Sequence, residues 1–259
     1  MSDFTPDCSF ISAVVPSPNH NERVNPAAPD MILLHYTGMQ GAQAALERLC
    51  SEEAKVSAHY VIFEDGLIFQ CVPEVRRAWH AGVSSWEGHT DNNSRSIGLE
   101  IANPGHDYGY PDFPEPQIAA VIALCRDILA RRSIRPECVV AHSDIAPSRK
   151  NDPGEKFPWA RLAGNGIGLW VEPAPIDGKP GLALGDHGDA VHQLQQSLAV
   201  YGYGVEATGL FDPKTKDVVV AFQRHFRPAR VDGIADGSTI ETLNRLLMAR
   251  SSAAEANSF

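Results

Sequence analysis

His35 and His142 each close a short apolar run, Met31-Ile32-Leu33-Leu34 in one case and Val139-Val140-Ala141 in the other. Such runs read as buried strands, so both imidazoles leave a sheet at a strand end. Asp152 follows His142 within Arg149-Lys150-Asn151-Asp152-Pro153-Gly154, where the proline and glycine make a rigid turn that fixes the carboxylate. Two imidazoles and one carboxylate form a sound open zinc site, because three protein ligands leave one position for water. Zinc lowers the pKa of such a water from 15.7 to about 7, which makes hydroxide available at neutral pH. Spacing alone leaves a second reading open, of two structural histidines and a turn aspartate.

Glu100 is the next candidate. In Ser96-Ile97-Gly98-Leu99-Glu100-Ile101-Ala102 the apolar side chains share one face of a strand, and Glu100 stands on the other beside the small residues Gly98 and Ala102. The small neighbours leave room for a ligand above the carboxylate. Such a group could take a proton from a metal-activated water and pass it to a leaving amine. An exposed strand glutamate is the plainer alternative. Lys150, two residues before Asp152, stands near any metal held there, and its ammonium could stabilise an oxyanion; its plainer reading is a surface lysine in a polar loop.

The elements that must position these groups alternate between strand and helix. Ala42 to Cys50 carries Ala42, Ala45, Leu46 and Leu49 on one helical face. Two β-rich runs flank Asp65-Gly66 and predict a hairpin over 59–70. Pro116 to Arg132 has apolar residues at helical spacing. The pattern predicts an α/β fold with a mixed central β-sheet flanked by helices. From Val171 to Gly181 the prolines and glycines read as a linker. Beyond it three amphipathic helices predict a small all-α domain. Gly209-Leu210-Phe211-Asp212 with Thr215 returns as Gly233-Ile234-Ala235-Asp236 with Thr239, each aspartate placed to cap a following helix. The expected division is residues 1–172, a linker at 173–181, a helical domain at 182–250 and a frayed tail at 251–259.

Composition narrows the function classes. The 259 residues carry 22 Lys and Arg against 32 Asp and Glu, a net charge of −10. A chain this acidic has no broad attraction for nucleic acid or anionic lipid. No apolar run approaches the roughly 18–20 residues of a transmembrane helix. The five widely spread cysteines contain no CxxC pair and read as reduced thiols. With no recognisable export signal at the amino terminus, the expectation is a cytoplasmic protein; a trimmed leader would place it in the periplasm or envelope instead.

Six motifs occur in order: His35-Tyr36-Thr37 after an apolar strand, Ser57-Ala58-His59-Tyr60, Trp79-His80-Ala81-Gly82, Ser96 to Glu100, Ala141-His142-Ser143-Asp144-Ile145-Ala146-Pro147, and Lys150 to Gly154. Together they resemble the type 2 family of zinc-dependent N-acetylmuramoyl-L-alanine amidases, relatives of the peptidoglycan recognition proteins, over about residues 17–162, with the AmpD/AmiD group the closest likeness. The resemblance implies a peptidoglycan recognition protein-like sheet. It also implies cleavage of the amide between N-acetylmuramic acid (or its anhydro form) and L-alanine, in wall turnover or recycling. On matching positions it makes His35, His142 and Asp152 the Zn2+ ligands, Glu100 the catalytic glutamate and Lys150 the lysine before the third ligand. Trp79, His80 and Asn103 fall in segments that line the family's substrate groove, and His59 reads as structural. Phage-type relatives have a tyrosine where this chain has Ala58, which places more of the proton chemistry on Glu100.

The carboxy-terminal region resembles the peptidoglycan-binding domains found beside wall hydrolases, through Gly188-Asp189-Ala190-Val191, Leu194-Gln195, Gly209 to Asp212, Phe222-Gln223 and Val231 to Ile234. Such a module would hold the enzyme on the polymer and raise local substrate concentration. Two rival readings are a non-catalytic receptor for wall fragments and a zinc peptidase cutting within the stem peptide. The partner in every case is peptidoglycan or a muropeptide.

Overall fold

The structure is a computed structural model and describes residues 4–24 and 28–256. The strands are β1 (Ala13–Val14), β2 (His20–Glu22), β3 (Met31–Tyr36), β4 (Tyr60–Ile62), β5 (Ile68–Gln70), β6 (Arg76–Ala78), β7 (Ser96–Ile101) and β8 (Val139–Ala141). The helices are α1 (Ala42–Leu49), α2 (Asn92–Arg95), α3 (Glu115–Arg131), α4 (His142–Ile145), α5 (Trp159–Ala163), α6 (Asp189–Tyr201), α7 (Pro213–Phe226) and α8 (Gly237–Ala256).

Six strands form one sheet in the order β1-β5-β4-β7-β3-β8, and β2 pairs with β6 apart from it. β3 runs parallel to both β7 and β8, while β4 and β5 form the antiparallel hairpin around Asp65-Gly66. The mixed α/β sheet expected from the sequence is therefore present. β3 is apolar from Met31 through Leu34 because both of its faces are covered. Ile32 and Leu34 join Ile97, Leu99 and Ile101 against the α3 residues Ile118, Val121, Cys125 and Ile128. Met31 and Leu33 point the other way, into a second core with Val140.

That second core contains the carboxy-terminal helices. Val191, Leu194, Leu198 and Tyr201 of α6, Val218, Val219, Phe222 and Phe226 of α7, and Leu243 and Leu246 of α8 are continuous with Met31, Leu33 and Val140. The three helices share a core with the sheet instead of closing one of their own. The Pro/Gly stretch before them forms neither helix nor strand at 172–181, yet it is fastened down. The Ala174 N–H donates to Thr242 Oγ1 at 3.0 Å and its carbonyl accepts from Ser238 Oγ at 2.6 Å.

The repeat seen in the sequence is a repeated capping device. Asp212 Oδ1 accepts from the Thr215 N–H at 2.7 Å, and Asp236 Oδ1 from the Thr239 N–H at 2.8 Å. Gln195 and Gln223 serve the loops before these caps in the same way, each taking a glycine N–H and giving to the carbonyl of the next residue. The third helix runs past Arg250, where a frayed tail begins in the sequence reading, as far as Ala256. Ser251 and Ser252 hydrogen-bond back to the Leu247 and Met248 carbonyls, which keeps their hydroxyls satisfied inside the helix. Residues 257–259 of that tail lie outside the described residues.

Trp86 marks the junction of sheet and helices. It is fully buried, with Tyr201 and Tyr203 edge-on to it at 6.0 and 5.1 Å. Trp86→Ala should cost about 3–5 kcal/mol, the range for a large aromatic removed from a core. Urea unfolding of the parent and variant measures this; a loss below about 1 kcal/mol would show that the junction is not packed as described.

Candidate active site

Parallel pairing of β3 with β7 sets His35 directly opposite Glu100. Both side chains continue the face that carries Met31 and Leu33, away from α3. His142 begins α4 one residue after β8 ends. Asp152 reaches the same point from the following loop, and the Ser143 N–H donates to its carbonyl at 3.0 Å. The peptide joining Asp152 to Pro153 is cis. A Cβ at Gly154 (φ 86°) would run into the Tyr110 hydroxyl, so this close turn requires glycine.

Three ligand atoms meet there. His35 Nδ1 lies 2.9 Å from His142 Nδ1 and 3.0 Å from Asp152 Oδ2, and His142 Nδ1 lies 3.0 Å from the same oxygen. All three residues are buried. The outward nitrogens determine which tautomers these are. His142 Nε2 faces the Ala81 carbonyl at 3.1 Å. A carbonyl only accepts, so Nε2 carries the proton and Nδ1 offers a lone pair. The same logic runs through a longer chain behind His35. Ser96 Oγ donates to the Asn92 carbonyl at 2.5 Å, which leaves it to accept from His80 Nε2 at 3.3 Å. His80 Nδ1 then accepts from His35 Nε2 at 3.0 Å, and His35 Nδ1 is left with its lone pair.

Two imidazole lone pairs and a carboxylate oxygen thus face one another without a proton between them, the donor set and spacing of a small cation with bonds of about 2.0–2.2 Å. Burial and the facing His142 push the His35 pKa down to about 4, so the ring is neutral and ready to ligate.

Glu100 stands beside the cluster. Burial, with the Asp152 charge second, pushes its pKa up to about 8, against the opposing pull of Lys150. Its Oε2 is buried without a hydrogen-bond partner among the described residues. A half-buried acid whose inner oxygen is free, next to three lone pairs, suits a cation and its water. Lys150 and Trp79 line the same cavity of about 400 Å³, together with His80, Glu100 and the three ligand candidates. Trp79 is held by its indole N–H, which donates to Asn21 Oδ1 at 2.7 Å.

One expectation changes. The space beside Gly98 is filled by His80 and not left for a ligand: a Cβ there would come within 2.5 Å of the ring. His80 reaches the cavity, but its ring nitrogens are engaged by His35 and Ser96, which makes it a support for His35. Asn103, expected to touch substrate, does not line the cavity. Its amide is spent within its own loop, donating to the Pro111 carbonyl at 2.9 Å and accepting from the Gly105 N–H at 2.9 Å. His59 is buried and structural, accepting from the Gly98 N–H and donating to the Arg76 carbonyl. The sequence reading missed the wall opposite the ligands, formed by Tyr36, Met39, Arg48 and Val56. The helical pattern that put Ala45 and Leu49 on a buried face of α1 was the available signal, since Arg48 is their neighbour on that helix.

Paired imidazoles, a carboxylate, a free acid and an ammonium at the ends of parallel strands are the equipment of a metal-assisted hydrolase. Comparison with known proteins narrows that class. Residues 25–155 match the family described as N-acetylmuramoyl-L-alanine amidase, and residues 187–243 match a putative peptidoglycan binding domain. The chain is 39% identical to the N-acetylmuramoyl-L-alanine amidase AmiD of Escherichia coli K12 over 230 residues, 84% of this chain and 82% of that one. It is 36% identical to the 1,6-anhydro-N-acetylmuramyl-L-alanine amidase AmpD of the same organism over 57% of this chain and 88% of that one. Its structure is similar to that of E. coli AmiD in complex with the substrate anhydro-N-acetylmuramic acid-L-Ala-D-gamma-Glu-L-Lys, with a TM-score of 0.73, 38% identity and coverage of 88% and 93%. It is similar too to Pseudomonas aeruginosa AmpDh3 in complex with anhydromuramic pentapeptide, with a TM-score of 0.71, 32% identity and coverage of 90% and 97%. The chain belongs to the N-acetylmuramoyl-L-alanine amidase family.

Gly98→Ala should displace the His80 ring and with it the support of His35. Amide hydrolysis should fall at least about tenfold, the usual scale for losing an outer partner of a metal-binding histidine, with far-UV circular dichroism unchanged. Parent-level hydrolysis would show that His80 does not support the site.

Proposed function

We propose that this protein hydrolyses the amide between the lactyl group of N-acetylmuramic acid, or its 1,6-anhydro form, and L-alanine of a muropeptide or of peptidoglycan, with zinc held by His35, His142 and Asp152. The observation that carries the reading is the set of three proton-free ligand atoms within 3.0 Å of one another, beside the unpartnered Glu100 Oε2. Zinc in that set would polarise the scissile carbonyl and make a water acidic.

The chain's own residues do the rest. Trp79 and the α1 wall hold the substrate across the cavity, so that the scissile carbonyl faces the ligand cluster. Glu100 takes the proton from the attacking water, for which its raised pKa suits it, and returns it to the departing alanine nitrogen. The Lys150 ammonium faces the carbonyl oxygen as negative charge gathers there. The opposite charge of a divalent cation at the ligands would favour the ionised, proton-accepting form of Glu100 before each turnover. The odd number and wide spread of the five cysteines favour placement in a reducing compartment such as the cytoplasm; fractionation of the native protein tests that placement.

Glu100→Gln should lower the hydrolysis rate at least about a hundredfold while one equivalent of zinc stays bound, measured by metal analysis beside a muropeptide assay read by product mass. Lys150→Met should lower kcat more than it raises KM. Chelator treatment should abolish hydrolysis and zinc should restore it. Full activity of Glu100→Gln would overturn the base assignment, and activity indifferent to chelation would overturn the metal assignment. Products cut within the stem peptide would replace the amidase reading with a peptidase.

A further inference from the structure

Two of the three ligand candidates lie on one short segment, His142 to Asp152, and the carboxy-terminal helices grip both ends of it. At the first end, the Asp144 carboxylate is completely buried. It has three donors. The Ala141 N–H reaches Oδ2 at 2.8 Å and lies on the residue before His142. The other two donors come from the carboxy-terminal region: Tyr203 Oη reaches Oδ1 at 2.7 Å and His225 Nδ1 reaches Oδ2 at 2.6 Å. The His225 ring is itself held by stacking on Trp159 with centroids 3.7 Å apart. At the second end, Arg224, the residue before His225, places Nε 3.6 Å from Oε2 of Glu155. Glu155 stands three residues after Asp152 and also takes His106 Nε2 at 3.2 Å. Adjacent residues of α7 therefore meet the acid two residues after His142, through a hydrogen bond, and the acid three residues after Asp152, through a longer charge contact.

A tether for the polymer has no use for such contacts. A buried carboxylate with one backbone donor would be costly, and the two donors from the carboxy-terminal region remove that cost while fixing the start of α4. We propose that the carboxy-terminal region is a positioning element of the metal site. Tyr203 and His225 acting through Asp144, with Arg224 acting through Glu155, hold His142 and Asp152 at ligating separation. Its role is then distinct from polymer capture, and the inference rests on the zinc reading given above.

The test is zinc affinity of the full chain, measured by chelator competition on metal-free protein, beside thermal unfolding. His225→Phe keeps a ring for Trp159 and loses the donor. His225→Asn keeps a donor near the Nδ1 position and loses the ring. Arg250→Ala cuts contacts to Glu87 and Glu137 across the same interface, away from the ligand segment. Tyr203→Phe removes one hydroxyl and decides the matter alone if His225→Phe does not fold. The expectation is zinc affinity about tenfold to a hundredfold weaker in His225→Phe and about tenfold weaker in Tyr203→Phe. His225→Asn should recover affinity to near the parent even where it unfolds at a lower temperature. Arg250→Ala should lower the unfolding temperature and leave zinc affinity within about twofold of the parent. Parent-like affinity in His225→Phe and Tyr203→Phe would overturn the inference. So would weakening in Arg250→Ala equal to that in His225→Phe, because the effect would then be general docking. A parent that binds no zinc would instead overturn the metal reading beneath it.

Discussion

Three electron pairs held face to face, with no proton among them, are the constraint on which the rest of this structure depends. His35 Nδ1, His142 Nδ1 and Asp152 Oδ2 lie within 3.0 Å of one another inside a buried site. Left to themselves the two imidazoles would turn a ring N–H toward the carboxylate and close the cluster with ordinary hydrogen bonds. The outward nitrogens prevent this. The Ala81 carbonyl takes the proton of one ring, and the His80–Ser96–Asn92 chain draws away that of the other. The glycine at 98 belongs to the same constraint, since the His80 ring occupies the volume of its missing side chain.

The sheet answers a second demand, that these groups come from remote stretches of chain and still meet. Parallel strands deliver their carboxy-terminal ends to one edge, so β3 and β8 bring His35 and His142 together, and the register of β3 with β7 adds Glu100. Alternation along β3 then separates function from support. Ile32 and Leu34 face α3 while Met31, Leu33 and His35 face the other way. The carboxy-terminal helices cover the lower part of that second face and leave its upper edge open as the cavity. Their core is continuous with the sheet, and the interface is buried and polar where it reaches Asp144.

Much of the site was legible because its residues sit at breaks between patterns. His35 and His142 end apolar runs, and Asp152 stands before Pro153-Gly154. Glu100 is the one charge on a strand whose other face is wholly apolar. Helix faces were legible for the same reason: α3 and the three carboxy-terminal helices repeat apolar residues at helical spacing. The capping aspartates 212 and 236 could be read because a cap acts on the residues immediately after it. Asn103 and His80 resisted such reading. Both are polar residues in suitable segments, and the bonds that Asn103 makes within its own loop and His80 makes to His35 and Ser96 depend on partners that no local pattern names. The Pro/Gly stretch at 173–181 has the composition of a free linker, while its attachment at Ala174 depends on Thr242 and Ser238, far along the chain.

Local chemistry in the sequence was enough to single out the residues that could ligate and the acid that could move protons, to indicate which segments would be strand or helix, and to show that a second helical region follows the first. These follow from side-chain type, alternation and turn residues, and all act over a few positions. Tertiary structure alone decided the tautomers of the two imidazoles, the wall of the cavity formed by α1, and the union of the helical region with the sheet. Those depend on which carbonyl faces which nitrogen and which apolar face covers which, relations between residues mostly tens of positions apart or more that no local pattern encodes.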